Sequence, residues 1–442
     1  MKKIFLVLGF GLISLLAPAQ SDTLRLSSAE AVEYGLKNRK DVQNQRLSEK
    51  IARNETEKVR ARNLPQVTTS FDYRYNTQLQ TTVFPANVPP FNSPEPVVTR
   101  FGTAFNATFG VSANYDLINP ATQADKRYTQ KTTELEQANS QRLSIDTRQA
   151  IFRAYYAVLL NQEKAKFSSE NQVRTDRYFQ EGKVKFENRT ILKTDLDRLQ
   201  LDYQNARVMA EEDAKNLQLS RLYLANQIGA APNTPIATTE TLETVLQLLP
   251  EIADSRQSTA NRVEVRQEQL RLEQNQLNLK RQSKSYWPTV SLYGSWNVQN
   301  LSNDFALFSG SNWFPFSYVG LKIGATLFDG LQRERTKTEY RLRLEQNQNN
   351  LSRLQSDMGY EWESARTELQ NAHEKLKTAR ENYTLAQQIV QTDNVRFNEG
   401  IITIASLKNS EYALATAQNN LLTNYYNFLL AKINYQKALG EL

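Results

Sequence analysis

Residues 101–115 read FGTAFNATFGVSANY, and their alternation decides the fold. The odd positions hold Phe101, Thr103, Phe105, Ala107, Phe109, Val111, Ala113 and Tyr115, while every even position is small or polar. A period of two marks a strand with one apolar face. Three other segments behave alike. Phe71, Tyr73 and Tyr75 alternate with Asp72, Arg74 and Asn76; Val290, Leu292, Gly294 and Trp296 alternate with Ser291, Tyr293 and Ser295. Val319, Leu321, Ile323, Ala325 and Leu327 alternate with Gly320, Lys322, Gly324 and Thr326. A sheet half-buried in a soluble protein alternates too. These runs, however, reach the about 9–11 residues that a tilted strand needs to cross a bilayer. Tyr286, Trp287, Trp313 and Phe314 sit near their ends, as in an interfacial girdle. The connections 85–96 (Pro-rich) and 300–312 (Ser/Asn-rich) are then the longer outer loops.

Between the strands the period changes. No proline occurs from Ala121 to Ala231 or after Pro315. Leu351, Leu354, Met358, Trp362, Ala365, Leu369, Ala372, Leu376, Ala379, Tyr383, Ala386 and Val390 follow three- and four-residue gaps. This is a heptad seam whose small residues let neighbouring helices approach closely. Leu192, Leu196, Leu199, Tyr203, Ala206 and Ala210 begin the same pattern in the first half. Helices of about 60–70 residues, at about 1.5 Å per residue, predict rods of roughly 90–105 Å, a poor basis for a globular enzyme.

The chain is a duplication. Leu64-Pro65-Gln66-Val67 and Trp287-Pro288-Thr289-Val290 each end a helix and open a strand. Asn119-Pro120 and Asp329-Gly330 mark the return to helix, Gly182 and Gly400 interrupt the long helices, and Gly229 and Gly440 close each half. The offsets are 223, 210, 218 and 211. The first repeat (20–232) is expected to hold helices 26–63, 121–181 and 190–229 with a β-hairpin over 65–117. The second (233–442) is expected to hold helices 262–285, 330–399 and 403–440 with a β-hairpin over 288–328.

Residues 1–19 read as a secretory signal peptide, with Lys2 and Lys3, an apolar run Ile4–Leu16 and the Ala17-Pro18-Ala19 box. No cysteine is present, so disulfides and thiolate metal sites are excluded. The formal charge of +7, with acids interleaved throughout, describes a solvated helical surface rather than a nucleic-acid patch. The single histidine, His373, lies among Glu374, Lys375 and Lys377 on a helix, and no catalytic or phosphate-binding motif accompanies it. Neither an enzyme nor a cofactor is expected. Four strands cannot close a membrane barrel, which takes about eight or more. An open sheet in lipid leaves its edge amides unpaired at a cost of several kcal/mol each. Self-association is therefore expected, two copies giving eight strands and three giving twelve.

Taken together, the Leu-Pro and Trp-Pro turns, Leu327-Phe328-Asp329-Gly330, the Phe-x-Glu-Gly turns at 179–182 and 397–400 and the terminal Ala438-Leu439-Gly440 resemble the TolC-like outer-membrane efflux protein family over nearly the whole mature chain. The resemblance implies a homotrimer with a β-barrel shared among protomers, four strands from each, joined to an α-helical periplasmic tunnel. It implies a periplasmic adaptor and an inner-membrane transporter as partners. It places Gly182 and Gly400, supported by Phe179 and Phe397, at adaptor-contacting tips, and an entrance constriction at Ile402, Ser406 and Asn409, with Thr190 and Lys193 as first-half counterparts. These constriction positions lack the acids of similar channels, so multivalent cations are expected to block the pore poorly. The function implied is an outer-membrane exit duct for small molecules. Open beside it stand the outer-membrane component of a type I protein secretion system and, from another class, a non-channel periplasmic coiled-coil tether.

Overall fold

A computed structural model describes residues 23–90, 92–231, 234–247, 262–305 and 313–442. The expected signal peptide lies outside the described residues. In chain order the elements are β1 (Leu24–Leu26), α1 (Ser28–Asn38), α2 (Lys40–Ala61), β2 (Gln66–Tyr75), β3 (Thr81–Phe84), β4 (Val97–Arg100), β5 (Phe105–Ile118), α3 (Pro120–Glu187) and α4 (Lys193–Ile228). Then follow β6 (Ile236–Thr238), α5 (Leu242–Gln247), α6 (Val263–Lys284), β7 (Thr289–Ser302), β8 (Trp313–Gly324), α7 (Gln332–Asn398) and α8 (Ile404–Leu439). Among the described residues no helix is long and apolar enough to cross a membrane. The chain divides into two compact units.

The first unit comprises residues 1–44, 142–259 and 358–442. Its core is hydrocarbon. Ile151, Tyr155 and Leu159 of α3 pack with Leu224 and Ile228 of α4 and with Leu429 and Ile433 of α8. The buried Tyr155 hydroxyl finds its acceptor at the Leu26 carbonyl, 3.0 Å away. A second cluster joins Ala365, Leu369 and Ala372 of α7 to Ala431, Tyr435 and Leu439 of α8, along the seam that the heptads predict. Two features exceed the sequence reading. Strand β1 pairs in parallel with β6, Leu24 opposite Ile236, so the opening of the second repeat is sewn to the opening of the first. The expected helix 26–63 is broken into α1 and α2, because Arg39 adopts an extended ψ of 131°. Arg39 holds that break by ion-pairing with Asp41 and donating to the Gln227 carbonyl.

The second unit comprises residues 45–141 and 260–357. Its sheet runs β2-β5-β7-β8, antiparallel throughout, and β3 and β4 form a separate ribbon within the first connection. Phe109 stands opposite Phe71 on one side and Val298 on the other, so one apolar face runs across β2, β5 and β7. Ser112, Ser295 and Asn297 share the opposite face, where the two serine hydroxyls meet at 3.1 Å. The helical part of this unit buries Val59, Val265 and Leu270 and is joined besides by side-chain amides and hydroxyls: Gln267 to Asn139, Gln274 to Thr132, and Asn275 to Asn347, which in turn donates to Glu268 at 2.6 Å.

The duplication has a sharper register than the motifs imply. Helices α4 and α8 are both 36 residues long and start at Lys193 and Ile404, a shift of 211. Their closing glycines, Gly229 and Gly440, are both left-handed and share that shift.

Candidate functional site

Among the described residues the sheet presents two free edges, β2 and β8. Val319, Leu321 and Ile323 of β8 share the face of Gly294, Leu292 and Val290 and are 80, 64 and 72% exposed. Burying so much hydrocarbon demands lipid or another chain. The outer half of β8 inverts the pattern. Phe314, Phe316 and Tyr318 stand opposite Gln299, Asn297 and Ser295, on the polar face. Phe314 is thus directed with the polar residues rather than into a lipid-facing girdle. Tyr318 meets Tyr293 edge-on at 6.0 Å.

The helix tips belong to the first unit. Helix α7 ends where Gly400 takes φ +74°; its amide bonds the Phe397 carbonyl, and the Ile401 amide reaches back to the Arg396 carbonyl at 2.8 Å. This is a six-to-one helix closure with a left-handed residue at its corner. The first repeat closes identically, but with Arg189 (φ +58°) at the corner and the Thr190 amide bonding the Lys185 carbonyl at 2.8 Å. Arg189 and Gly400 are again 211 apart, so Phe186 is the true counterpart of Phe397.

Gly182 is consequently not a turn residue, contrary to the sequence expectation. It lies inside α3, which runs on to Glu187. It is buried, and a Cβ there would collide with Leu199 Cδ1 of α4, so the glycine serves close helix approach. Phe179 also packs between helices, stacking on Tyr203 at 5.9 Å beneath the Lys183 ammonium. Phe397 sits at the tip, 5.2 Å from Lys185 Nζ, a contact that joins the two repeats.

The tips enclose a cleft of ≈ 600 Å³ whose lining includes Gly182, Lys185, Thr190, Asp195, Phe397 and Ile402. Thr190 braces the first turn through its hydroxyl to the Lys185 carbonyl. The other expected constriction residues stand outside this lining. Lys193 is exposed and pairs with Asp197 at 2.9 Å. Ser406 is exposed in the first turn of α8, where its amide bonds the Thr403 cap, and Asn409 is exposed beyond it. By the common shift the counterparts of Ser406 and Asn409 are Asp195 and Arg198, not Thr190 and Lys193. The first repeat therefore carries an acid at this level, paired with Arg198 at 3.7 Å. The shared offset of Gly229 and Gly440 was the signal for all these residues.

Behind the cleft lies an ionic cluster. Glu411 of α8 is buried between Lys408, at 3.1 Å, and Arg174 of α3, at 3.4 Å. Lys408 also covers the Tyr178 ring. Burial, and then the Glu411 carboxylate, push the Tyr178 phenol above its ordinary pKa. Breaking such a buried pair by deleting one partner costs about 3–5 kcal/mol.

Residues 255–441 match the family described as outer membrane efflux protein. No curated protein matches the chain by sequence. In three dimensions the chain is similar to a membrane protein from Pseudomonas aeruginosa, at 15% identity and TM-score 0.76, covering 93% of this chain and 92% of that one. It is similar to CusC, whose crystal structures concern folding and transmembrane channel formation, at 15% identity and TM-score 0.75 over 96% and 95% of the two chains. The Campylobacter jejuni CmeC outer membrane channel matches at 13% identity and TM-score 0.73, over 94% of this chain and 85% of that one.

Proposed function

We propose that this chain, whose residues 255–441 match the outer membrane efflux protein family and whose fold is similar to those of solved outer-membrane channels, is the outer-membrane exit duct of a tripartite efflux system, conducting small molecules from an inner-membrane pump and a periplasmic adaptor to the exterior. It works by conduction rather than catalysis. The observation that carries the reading is the sheet: four membrane-length strands with an exposed apolar face and both edges unpaired. Lipid tolerates strands only in a closed cylinder. Three copies supply twelve strands, in the homotrimer of the family, with the sheet in the outer membrane and the helices in the periplasm.

The adaptor docks on the two helix turns of each protomer, at Arg189 and Gly400 and the cleft between them. Gly182 and Phe179 support these tips by packing α3 on α4; Thr190, Phe397 and Ile402 line the docking cleft. Lys193 and Ser406 lie on the first turns of α4 and α8, Asn409 one turn further along α8, and the three line the entrance beside Asp195. With Asp195 paired to Arg198, multivalent cations block the pore poorly. A type I protein secretion duct would use the same sheet and tips.

Purified protein in planar bilayers is expected to conduct as a heat-resistant oligomer; a protein that neither oligomerises nor conducts would be the periplasmic tether instead. Filling the cleft with Thr190→Trp and Ile402→Trp is expected to reduce export to the level of a deletion strain while the outer-membrane oligomer persists. Undiminished export would remove the tips from the docking site.

A further inference from the structure

The four junctions between sheet and helices all lie at one end of the sheet. Gln66 stands opposite Asn114, Ile118 opposite Val290 and Thr289 opposite Gly324. In the flanking segments 56–65, 119–128, 279–288 and 325–337 the sequence places eleven lysines and arginines against four acids. At the opposite end, the connections 76–104 and 300–312 contain only Glu95, Arg100 and Asp304 as charged residues. The positive charge is thus concentrated on one side of the sheet.

The acids at this end are already engaged. Asp125 of α3 bridges Arg62, just past the end of α2, and Arg281 of α6 at 3.4 and 2.8 Å. Asp329 holds Arg333, and Glu334 holds Lys337 while accepting the Tyr286 hydroxyl at 2.9 Å. Lys126, Arg127, Lys280, Lys284 and Arg335 have no acidic partner among the described residues, and all but Lys126 are exposed. Immediately on the sheet side, each junction bears an exposed apolar residue: Leu64, Ile118, Trp287 and Leu327. At the β7 and β8 junctions the order is hydrocarbon, then Trp287 or Phe328, then unpaired cations, the order a lipid leaflet imposes from its acyl region to its phosphates.

We infer that this basic collar seats on anionic phospholipid headgroups of the periplasmic leaflet of the outer membrane. The inference rests on the outer-membrane reading above and adds the lipid class and the residues that select it. Arg127, Lys280, Lys284 and Arg335 supply the charge, and the apolar quartet fixes the depth at which they meet the phosphates. The attraction is screened by salt, because these groups are exposed.

The test uses the full mature chain in nanodiscs of phosphatidylcholine containing a minor fraction of phosphatidylglycerol. Lipids retained after mild detergent extraction are quantified by mass spectrometry. Phosphatidylglycerol is expected to be enriched several-fold over its share of the bulk, and the enrichment to fall as salt is raised. The combined variant Arg127→Gln, Lys280→Gln, Lys284→Gln and Arg335→Gln is expected to abolish enrichment while inserting normally into pure phosphatidylcholine. Arg100→Gln, at the opposite end, is expected to leave it intact. Enrichment that survives the combined variant, or none in the unaltered protein, overturns the inference. Failure of the unaltered protein to insert into any bilayer overturns the outer-membrane reading itself.

Discussion

In the first unit helices meet through hydrocarbon, with Ile151, Leu159, Leu224 and Leu429 at its centre. In the second they meet around fewer apolar side chains, Val265 and Leu270 among them, and largely through amides and hydroxyls, with Asn347, Gln274 and Glu268 buried and hydrogen-bonded. The second unit instead directs its largest apolar surface outward, along β8. The difference teaches where each region obtains its stability. The first is held by its own chain. On the proposed function the second completes its burial with lipid and further copies, and its polar helix contacts give register at little net gain over water, since a satisfied buried hydrogen bond is worth only about 0.5–1.5 kcal/mol.

The largest effect should follow from charging the lipid face. Leu321→Arg places a guanidinium where about 2–4 kcal/mol is lost at the bilayer midplane, once per protomer, and the heat-resistant oligomer should vanish from denaturing gels. A persistent oligomer band would mean that this face does not meet lipid. Next in size, Leu159→Ala should cost about 2–5 kcal/mol, read as lost hydrogen-exchange protection confined to the first unit. Asn347→Leu should cost less, about 1–3 kcal/mol, by leaving the Glu268 carboxylate and the Asn275 amide without their partner, and its loss of protection should stay in the second unit. Equal effects in both regions would erase the contrast. The smallest effect concerns alkaline pH. Burial raises the pKa of Tyr155, Tyr156, Tyr178, Tyr383 and Tyr426, all in the first unit. A phenol protected from ionising in the folded state contributes fully below the unfolded value, near 10, and progressively less above it. Protection in the first unit should therefore hold through neutral pH and begin to fall above about pH 10, ahead of the second unit, when exchange is followed at a series of alkaline pH values.

The elements with strong periodicity were legible from residues alone. Alternation from Phe105 onward located β5, and the 3–4 spacing of Leu369, Ala372 and Leu376 identified the side of α7 that packs on α8. Local motifs misled where a different residue performs the same backbone task. Phe179-Gln180-Glu181-Gly182 resembles Phe397-Asn398-Glu399-Gly400, yet its glycine packs under Leu199 while Arg189 makes the turn. An arginine can occupy the left-handed corner because two closing backbone bonds offset the modest steric cost. Searching for glycine therefore displaced the first tip by seven residues and its constriction counterparts with it. Elements as short as β1 and β6 carry too little pattern to be read at all, and only their pairing reveals them.

The unlike corners Arg189 and Gly400 have a consequence for symmetry. The proposed trimer would display six hairpin ends of one shape but two chemistries, three with a guanidinium and three with bare backbone. Any collar of identical adaptor subunits meeting that rim would encounter two kinds of seat in equal number. Such subunits would have to pair off, one of each pair adapted to charge and the other to its absence.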